Sequence, residues 1–332
     1  MKKSFRSFAV PAALAFVAVC VLCACSSANG AKTAPAEARA GTSAAAGNSS
    51  ENSSAETGGN AAKTVADFEK MLSDALAAGD DDFVAYLAEY VLSADELEAF
   101  IAKKFPLRAS SAVPAGGNAI GSAAEVAREM RYTLARRLLR EGKWAKARTY
   151  FPEDLLPIFN SYVSAIQRGY NASLSDETRA RAFWDAALIV RTDGDALFLA
   201  ASGPTYVADG EWEDNPILKQ RFAENSAGAE ERSRVGSRDI SRFVNDRRFR
   251  AAMLAQNAAS LLPNNDERTA RLLCTAGVWL RYRDPKTADN FYRAIVIRCP
   301  QTQIGRRCSE LHWFPPELPW TDDQAWVGVP AE

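Results

Sequence analysis

The stretch that decides the fold of this chain is residues 128–161, which read REMRYTLARRLLREGKWAKARTYFPEDLLPIFNS. Apolar residues such as Leu134 and Leu138 recur at the spacing of one helical face, with arginines between them. Gly142 then interrupts the pattern, as glycine does in a turn between two helices. The spacing predicts a helical hairpin whose two helices cover 123–141 and 143–151.

The rest of the chain after the first 62 residues has the same helical periodicity, and strand-like alternation is nearly absent. Three helix starts carry a capping signal, in which Thr64, Ser93 and Ser122 each precede an acidic residue by three positions. The sequence therefore predicts an all-α fold. The other predicted helices in the first part of the folded region are 64–78, 81–92, 94–104, 153–168 and 175–192.

The hairpin resembles a tetratricopeptide repeat (TPR), in which large and small residues alternate across two helices and a glycine lies near the turn. Arg131 stands where the family has an aromatic residue, and Pro152 shortens the second helix. Partial matches occur at 251–263 and 267–300. The resemblance implies a TPR-like array of αα-hairpins, each covering the apolar face of its neighbour. The matching residues of the first hairpin are Leu134, Ala135, Leu138, Gly142, Trp144, Ala147 and Phe151.

The same resemblance implies a partner-binding groove on the concave face lined by the first helices. Its positions correspond to Tyr132, Arg136 and Arg140 in the first hairpin, and to Arg281 in 267–300. Guanidinium groups beside an aromatic ring suit the capture of a peptide carboxylate or an acidic segment. The alternative is that these arginines only solvate helix surfaces.

Two irregular segments divide the helical pattern. Proline and glycine are concentrated in 105–121, which predicts a loop between an N-terminal helical segment, 63–104, and a helical domain, 122–332. Glycines also punctuate 193–244, where an arginine-rich stretch follows an acidic cluster around Trp212. This insertion either carries a partner-binding surface or is a solvated face whose charges neutralise one another.

The C-terminal tail from Trp313 to Trp326 contains three tryptophans and several prolines, and we do not expect it to be helical. Its aromatic content favours docking onto the exposed face of the last helix pair. The alternative is a polyproline ligand for a partner domain.

The first residues predict an export signal, since a basic start precedes an apolar run over 8–24 that is short for a membrane span. The run ends in Leu22-Cys23-Ala24-Cys25, which resembles a bacterial lipobox. The resemblance implies removal of residues 1–24 and attachment of lipid, including palmitate-type acyl chains, to Cys25. The alternative is an ordinary signal peptide that happens to contain cysteine.

The segment after the lipobox is predicted to be a disordered tether. Residues 26–62 contain no Val, Ile, Leu, Met or aromatic residue, so they have no apolar surface to offset the entropy of ordering. Together, Cys25 and this tether (25–62) imply a folded domain anchored in the cell envelope. It would face the periplasm from the outer membrane in a Gram-negative cell, or lie on the cell surface otherwise.

The composition gives little sign of chemistry. The leader holds three of the 40 Lys and Arg residues, which leaves 37 against 41 Asp and Glu, a formal charge of −4 that does not indicate nucleic-acid binding. The single histidine, His312, has no nucleophile motif around it, and HExxH, P-loop and dinucleotide motifs are absent. We therefore expect no enzyme activity, no cofactor and no metal site.

Three cysteines follow the leader, namely Cys274, Cys299 and Cys308. An odd number in an oxidising compartment predicts at most one disulfide. Cys274–Cys308 and Cys299–Cys308 both remain open as pairings.

Two hypotheses for function follow. The first is a lipid-anchored scaffold or adaptor of the cell envelope, which binds a protein or peptide partner through a helical-repeat surface. The second is an envelope enzyme or solute-binding protein with a carboxylate site in 193–244. An open, shallow groove would favour the first, and an enclosed pocket with convergent carboxylates would favour the second.

Overall fold

The computed structural model of the chain describes residues 63–106, 122–200, 205–206, 212–213, 227–236 and 246–327. These residues all belong to one unit, Gly58–Glu332. Their regular structure is helical apart from one pair of two-residue strands. The predicted all-α class is confirmed. The predicted leader, the tether and almost all of the 105–121 loop lie outside the described residues.

The helices of the described residues are numbered here in chain order. The first seven are α1 (Val65–Ala78), α2 (Asp81–Tyr86), α3 (Ala94–Lys104), α4 (Ala123–Arg140), α5 (Trp144–Arg148), α6 (Leu156–Tyr170) and α7 (Asp176–Phe198). The other six are α8 (Ala229–Gly236), α9 (Arg247–Ser260), α10 (Glu267–Leu280), α11 (Pro285–Arg298), α12 (Gln303–Leu311) and α13 (Gln324–Val327). A π-helix, Leu87–Val91, follows α2, and a 3-10 helix, Glu153–Leu155, precedes α6.

The predicted helix starts are confirmed by their capping contacts. Thr64 and Asp67 form a reciprocal capping box, since the Thr64 N–H donates to the Asp67 carboxylate at 2.7 Å and the Thr64 hydroxyl accepts the Asp67 N–H at 3.3 Å. Ser93 and Glu96 repeat the arrangement at the start of α3. These local bonds satisfy N–H groups that a helix start would otherwise leave unpaired.

Neighbouring helices pack in succession through the second half of the molecule. Helix α7 lies between α6 and α9, and α10 lies between α9 and α11. The N-terminal helices join this stack at α4, which contacts both α3 and the π-helix. The core therefore runs continuously through the described residues. Its largest fully buried side chains include Trp184, Tyr86, Phe68, Phe159, Phe198 and Phe249.

Helix α7 is longer than the sequence predicts. The Asp193-Gly194-Asp195 signal indicated an irregular segment from residue 193 onward, but the helix continues to Phe198. A Cβ atom on Gly194 would lie 2.6 Å from Cβ of Arg247, so the glycine allows α7 and α9 to approach closely. The prediction was wrong at this point because the glycine serves helix packing rather than a helix end.

The described parts of the predicted insertion contain regular structure. Thr205 pairs with Glu213 and Tyr206 with Trp212 in a short antiparallel ribbon. Helix α8 follows and contacts the π-helix. The segment predicted as irregular therefore contains a strand pair and a helix within its described residues.

The C-terminal tail docks on α10, as predicted. The Trp320 indole donates to the Thr275 hydroxyl at 3.0 Å, and the Arg271 guanidinium donates to the Ala325 carbonyl at 2.9 Å. The expectation of a wholly non-helical tail was wrong for one short turn of helix, α13. Among the described helices, none combines the length and the apolar character needed to cross a membrane.

Candidate interaction surfaces

The structure brings the three predicted groove residues of α4 together, but two of them bind the chain itself. The Tyr132 hydroxyl donates to the Ala196 carbonyl at 2.6 Å. Arg140 donates to the Phe198 carbonyl at 3.0 Å and forms a buried ion pair with Glu89. These bonds satisfy carbonyl groups at the C-terminal end of α7. A partner at this face would have to displace them.

The π-helix explains why Arg140 is held inside. All five of its residues, Leu87–Val91, are buried, and the Glu89 carboxylate faces α4. Arg137 also reaches this segment and donates to the Ala88 carbonyl. A buried carboxylate needs a cationic or hydrogen-bonding partner, and Arg140 supplies it. Glu89 was not singled out from the sequence, because a π-helix has no clear sequence signal.

Arg136 is the remaining groove position on α4. Its guanidinium carbon lies 4.2 Å from the centre of the Tyr132 ring, in cation–π geometry. Burial and the nearby positive charge of Arg140 lower the pKa of Arg136, opposed by the charges of Tyr132 and Glu89. Of the three α4 residues, Arg136 alone has no bond to a carbonyl or carboxylate within the part of the chain that the structure describes.

Arg281 binds the C-terminal tail. Its guanidinium donates to the carbonyls of Pro315 and Pro316 at 3.0 and 2.9 Å. The proline-rich tail therefore occupies the position that the repeat resemblance assigned to a partner peptide.

An open cleft lies between α5 and α6, with a volume of about 620 Å³. Phe159 is buried at its floor, and Trp144 and Val163 are partly buried beside it. The cleft is shallow rather than enclosed. Its lining residues are Gly142, Lys143, Trp144, Ala145, Lys146, Arg148, Phe159, Asn160, Val163, Ser164 and Gln167.

Every charged residue that lines the cleft is basic. Lys143 pairs with Glu141 at 3.0 Å, and Lys146 pairs with Asp95 at 3.0 Å. Hydrogen bonds to Glu98 and Asp95 raise the pKa of Lys146. Arg148 differs, because its hydrogen bond within the described residues goes to the neutral amide of Asn160, at 3.3 Å. Arg148 is therefore the basic group of the cleft that is ready to bind an added carboxylate.

Among the described residues of the insertion, one carboxylate is fully buried, that of Glu231 in α8. It accepts a hydrogen bond from the Tyr86 hydroxyl at 2.8 Å, and Lys63 lies 3.6 Å away. Both contacts join α8 to the N-terminal helices. No group of three or more His, Cys, Asp or Glu residues that could hold a metal ion occurs among the described residues.

The three cysteines are buried free thiols. Cys274 and Cys308 lie near enough to each other to interact, and this interaction together with burial raises the pKa of Cys274. The Cys299 thiol instead lies 4.0 Å from the Asp266 carbonyl. The interaction favours the Cys274–Cys308 pairing, and the disulfide itself remains a prediction.

Comparison with family models, curated proteins and solved structures gives no match to this chain. The function is therefore argued from the chain's own residues. Sequence reasoning missed Arg148, Phe159 and Val163 as parts of a surface, although Trp144 belonged to the repeat pattern. The signal that could have located them is the helical face shared by residues 159, 163 and 167 of α6.

Proposed function

We propose that this protein is a lipid-anchored scaffold or adaptor of the cell envelope, and that it binds a peptide segment of a protein partner in the α5–α6 cleft. The observation that carries the proposal is the cleft itself, which combines an apolar floor with an all-basic set of charged lining residues. An apolar floor with a polar rim is the usual anatomy of a protein interface.

The cleft favours a segment with an apolar or aromatic side chain next to an acidic residue. The apolar side chain would bury against Trp144, Phe159 and Val163. A carboxylate would bind Arg148, whose planar guanidinium can donate two parallel hydrogen bonds. Asn160 offers a hydrogen-bonding amide at the rim of the same cleft.

The helical hairpins and the lipobox-like sequence support the same proposal. The α4–α5 pair and the α10–α11 pair are helical hairpins at the places where the sequence resembles TPR repeats. The lipobox-like end at Cys25 and the tether after it would hold this helical unit at a membrane surface. A scaffold of this kind needs a partner-binding surface and no catalytic group.

In-cell photo-crosslinking tests the cleft. A benzoylphenylalanine photo-crosslinker at Gln167, an exposed lining residue, should give an adduct with one partner. The same crosslinker at Lys286, an exposed residue of α11, is the positional control. Arg148→Glu should abolish the Gln167 adduct, because it replaces attraction for an acidic segment by repulsion.

The matched charge control is Arg293→Glu, an exposed arginine of α11 whose reversal should leave the adduct unchanged. If a folded Arg148→Glu protein gave the Gln167 adduct in normal yield, the cleft would not be the binding surface.

The anchor is tested separately with Cys25→Ala, which should lose the lipidated N-terminal peptide in mass spectrometry and should be released by a carbonate wash of membranes. Retention after the wash would refute the lipid anchor.

A further inference from the structure

The α5–α6 cleft contains one basic group without a carboxylate partner. The two lysines of its rim, Lys143 and Lys146, share the Asp95 carboxylate at 3.7 and 3.0 Å. Each lysine also pairs with a glutamate. Within the part of the chain that the structure describes, the Arg148 side chain has one hydrogen bond, to the Asn160 amide oxygen at 3.3 Å. The charges of the cleft therefore suit a ligand with a single carboxylate rather than a strongly acidic segment.

The place for this carboxylate lies beside the apolar floor of the cleft. Asn160, which accepts the hydrogen bond from Arg148, directly follows Phe159 in the chain, and Phe159 is 2 % exposed. Trp144 and Val163, both partly buried, complete the apolar lining. A ligand that uses both features has to present a carboxylate and an apolar side chain from adjacent positions.

A row of polar side chains runs from this point along α6. Asn160, Ser164 and Gln167 recur at helical spacing on one face, and all three are exposed lining residues of the cleft. The Asn160 NH2 group, the Ser164 hydroxyl and the Gln167 amide make no hydrogen bond to another described residue, so they can bind peptide N–H and C=O groups. A helix rise of about 1.5 Å per residue places the ends of the row about 10 Å apart. At about 3.3 Å per residue, this length matches about three residues of an extended chain.

The last residue of a polypeptide meets both requirements of the cleft. Its α-carboxylate and its side chain are attached to the same Cα atom, so the carboxylate can bind Arg148 while the side chain covers Phe159. An acidic residue inside an extended segment does not, because successive side chains point to opposite faces. Its carboxylate would point away from the cleft whenever the neighbouring apolar side chain entered it.

We infer that the α5–α6 cleft binds the free C-terminus of a partner polypeptide, in extended conformation and with an apolar last residue. This inference rests on the proposed function and identifies which segment of the partner binds. The two terminal NH2 groups of Arg148 donate to the α-carboxylate, since its Nε–H is used by Asn160. The bound chain then runs from Asn160 toward Gln167. A photo-crosslinker at Gln167 would attach to a residue about three positions from the partner's C-terminus.

The test is fluorescence anisotropy of the full chain, purified in detergent, with a fluorescein-labelled tripeptide of two alanines and a C-terminal phenylalanine. The free acid should bind about tenfold or more tightly than the same peptide with a C-terminal amide, since the amide cannot accept the charge-assisted hydrogen bonds. Arg148→Gln should lower the affinity of the free acid to that of the amide and leave the affinity of the amide unchanged. Arg293→Gln, in an exposed arginine of α11, should keep the wild-type preference. A free acid that ends in glycine should bind about tenfold more weakly, because no apolar side chain is buried.

A tripeptide amide with an aspartate before the phenylalanine separates this inference from the proposed function. If it bound as tightly as the free acid, recognition of a C-terminus would be refuted, whereas binding of an acidic segment in the cleft would stand. The inference is also overturned if wild type binds the free acid and the amide equally, if Arg148→Gln keeps the preference, or if the free acid does not bind. The proposed function is instead refuted by a Gln167 adduct that persists in Arg148→Glu.

Discussion

Replacing Gly277 by alanine should destabilise this protein, although alanine is the better helix former. Gly277 lies within α10, where the C-terminal tail crosses it. A Cβ atom at this position would lie 2.1 Å from Cζ and 2.4 Å from Cε1 of Phe314. Phe314 is 3 % exposed and packs beside Trp313 and Tyr292. The ring has to leave its place if the methyl group is added.

The expected change in the free energy of unfolding on Gly277→Ala is the sum of two opposing contributions. Alanine in place of glycine within a helix stabilises by about 1 kcal/mol. Loss of the buried Phe314 ring costs about 3 kcal/mol, the lower end for a large-to-small change in a core. The expected net effect of Gly277→Ala is therefore a loss of about 2 kcal/mol. In a Phe314→Ala background the ring is absent, so the same substitution should stabilise by about 1 kcal/mol.

The assay is a double-mutant cycle measured by urea unfolding with circular dichroism. The two single variants and the double variant give a coupling energy, expected near 3 kcal/mol. Gly236→Ala is the matched control, since a Cβ atom at Gly236 would meet no described residue within 4 Å. Its effect should stay below about 1 kcal/mol.

The reversal of sign is the decisive result. If Gly277→Ala destabilised the protein equally with and without the Phe314 ring, the clash would not involve the docked tail. The packing account of the C-terminus would then be refuted.

Two further predictions concern buried and capping carboxylates. Glu89→Gln should cost about 3 kcal/mol in urea unfolding, because it leaves Arg140 buried without its counter-charge. Glu310→Gln, which removes an exposed partner of Arg307, should change stability little, and equal losses in both variants would contradict the assignment. Burial raises the pKa of Glu96, but the Ser93 N–H and the Arg234 guanidinium outweigh it and lower the pKa below its ordinary 4.5. A carboxylate whose pKa is lower in the folded than in the unfolded state stabilises the fold at any pH above its unfolded-state pKa. This stabilisation is lost as the pH falls through its folded-state pKa. The difference in melting temperature between wild type and Glu96→Gln should therefore be largest near neutral pH and shrink below about pH 4.5, and a constant difference down to about pH 3 would refute it.

The local patterns of the sequence were enough for the helical class and for most helix starts. The capping pairs at Thr64 and Ser93 involve residues three apart, so the bonds they make are decided within one turn of helix. The tail docking could also be anticipated, because its aromatic residues need a surface to cover. These features depend on short-range spacing and on apolar content, and both can be seen in the amino-acid sequence alone.

The extent of α7 and the roles of the arginines depended on contacts between distant residues. In the sequence, Gly194 indicates the end of a helix. Only the close approach of Arg247 shows that this glycine allows α7 to pack against α9. Whether Arg140 faces a partner or the chain itself is decided by Glu89 and by the end of α7.

The candidate sites show the same difference between what local spacing predicts and what long-range packing decides. The sequence shows which residues are arginines and tryptophans, and its periodicity shows on which face of a helix each of them lies. It could not indicate that Arg148 of α5 shares a cleft with Phe159 of α6, or that Arg283 of the α10–α11 turn pairs with Asp246 at the start of α9. Those groupings join residues far apart in the chain, and their positions are set by how the helices pack rather than by any local spacing.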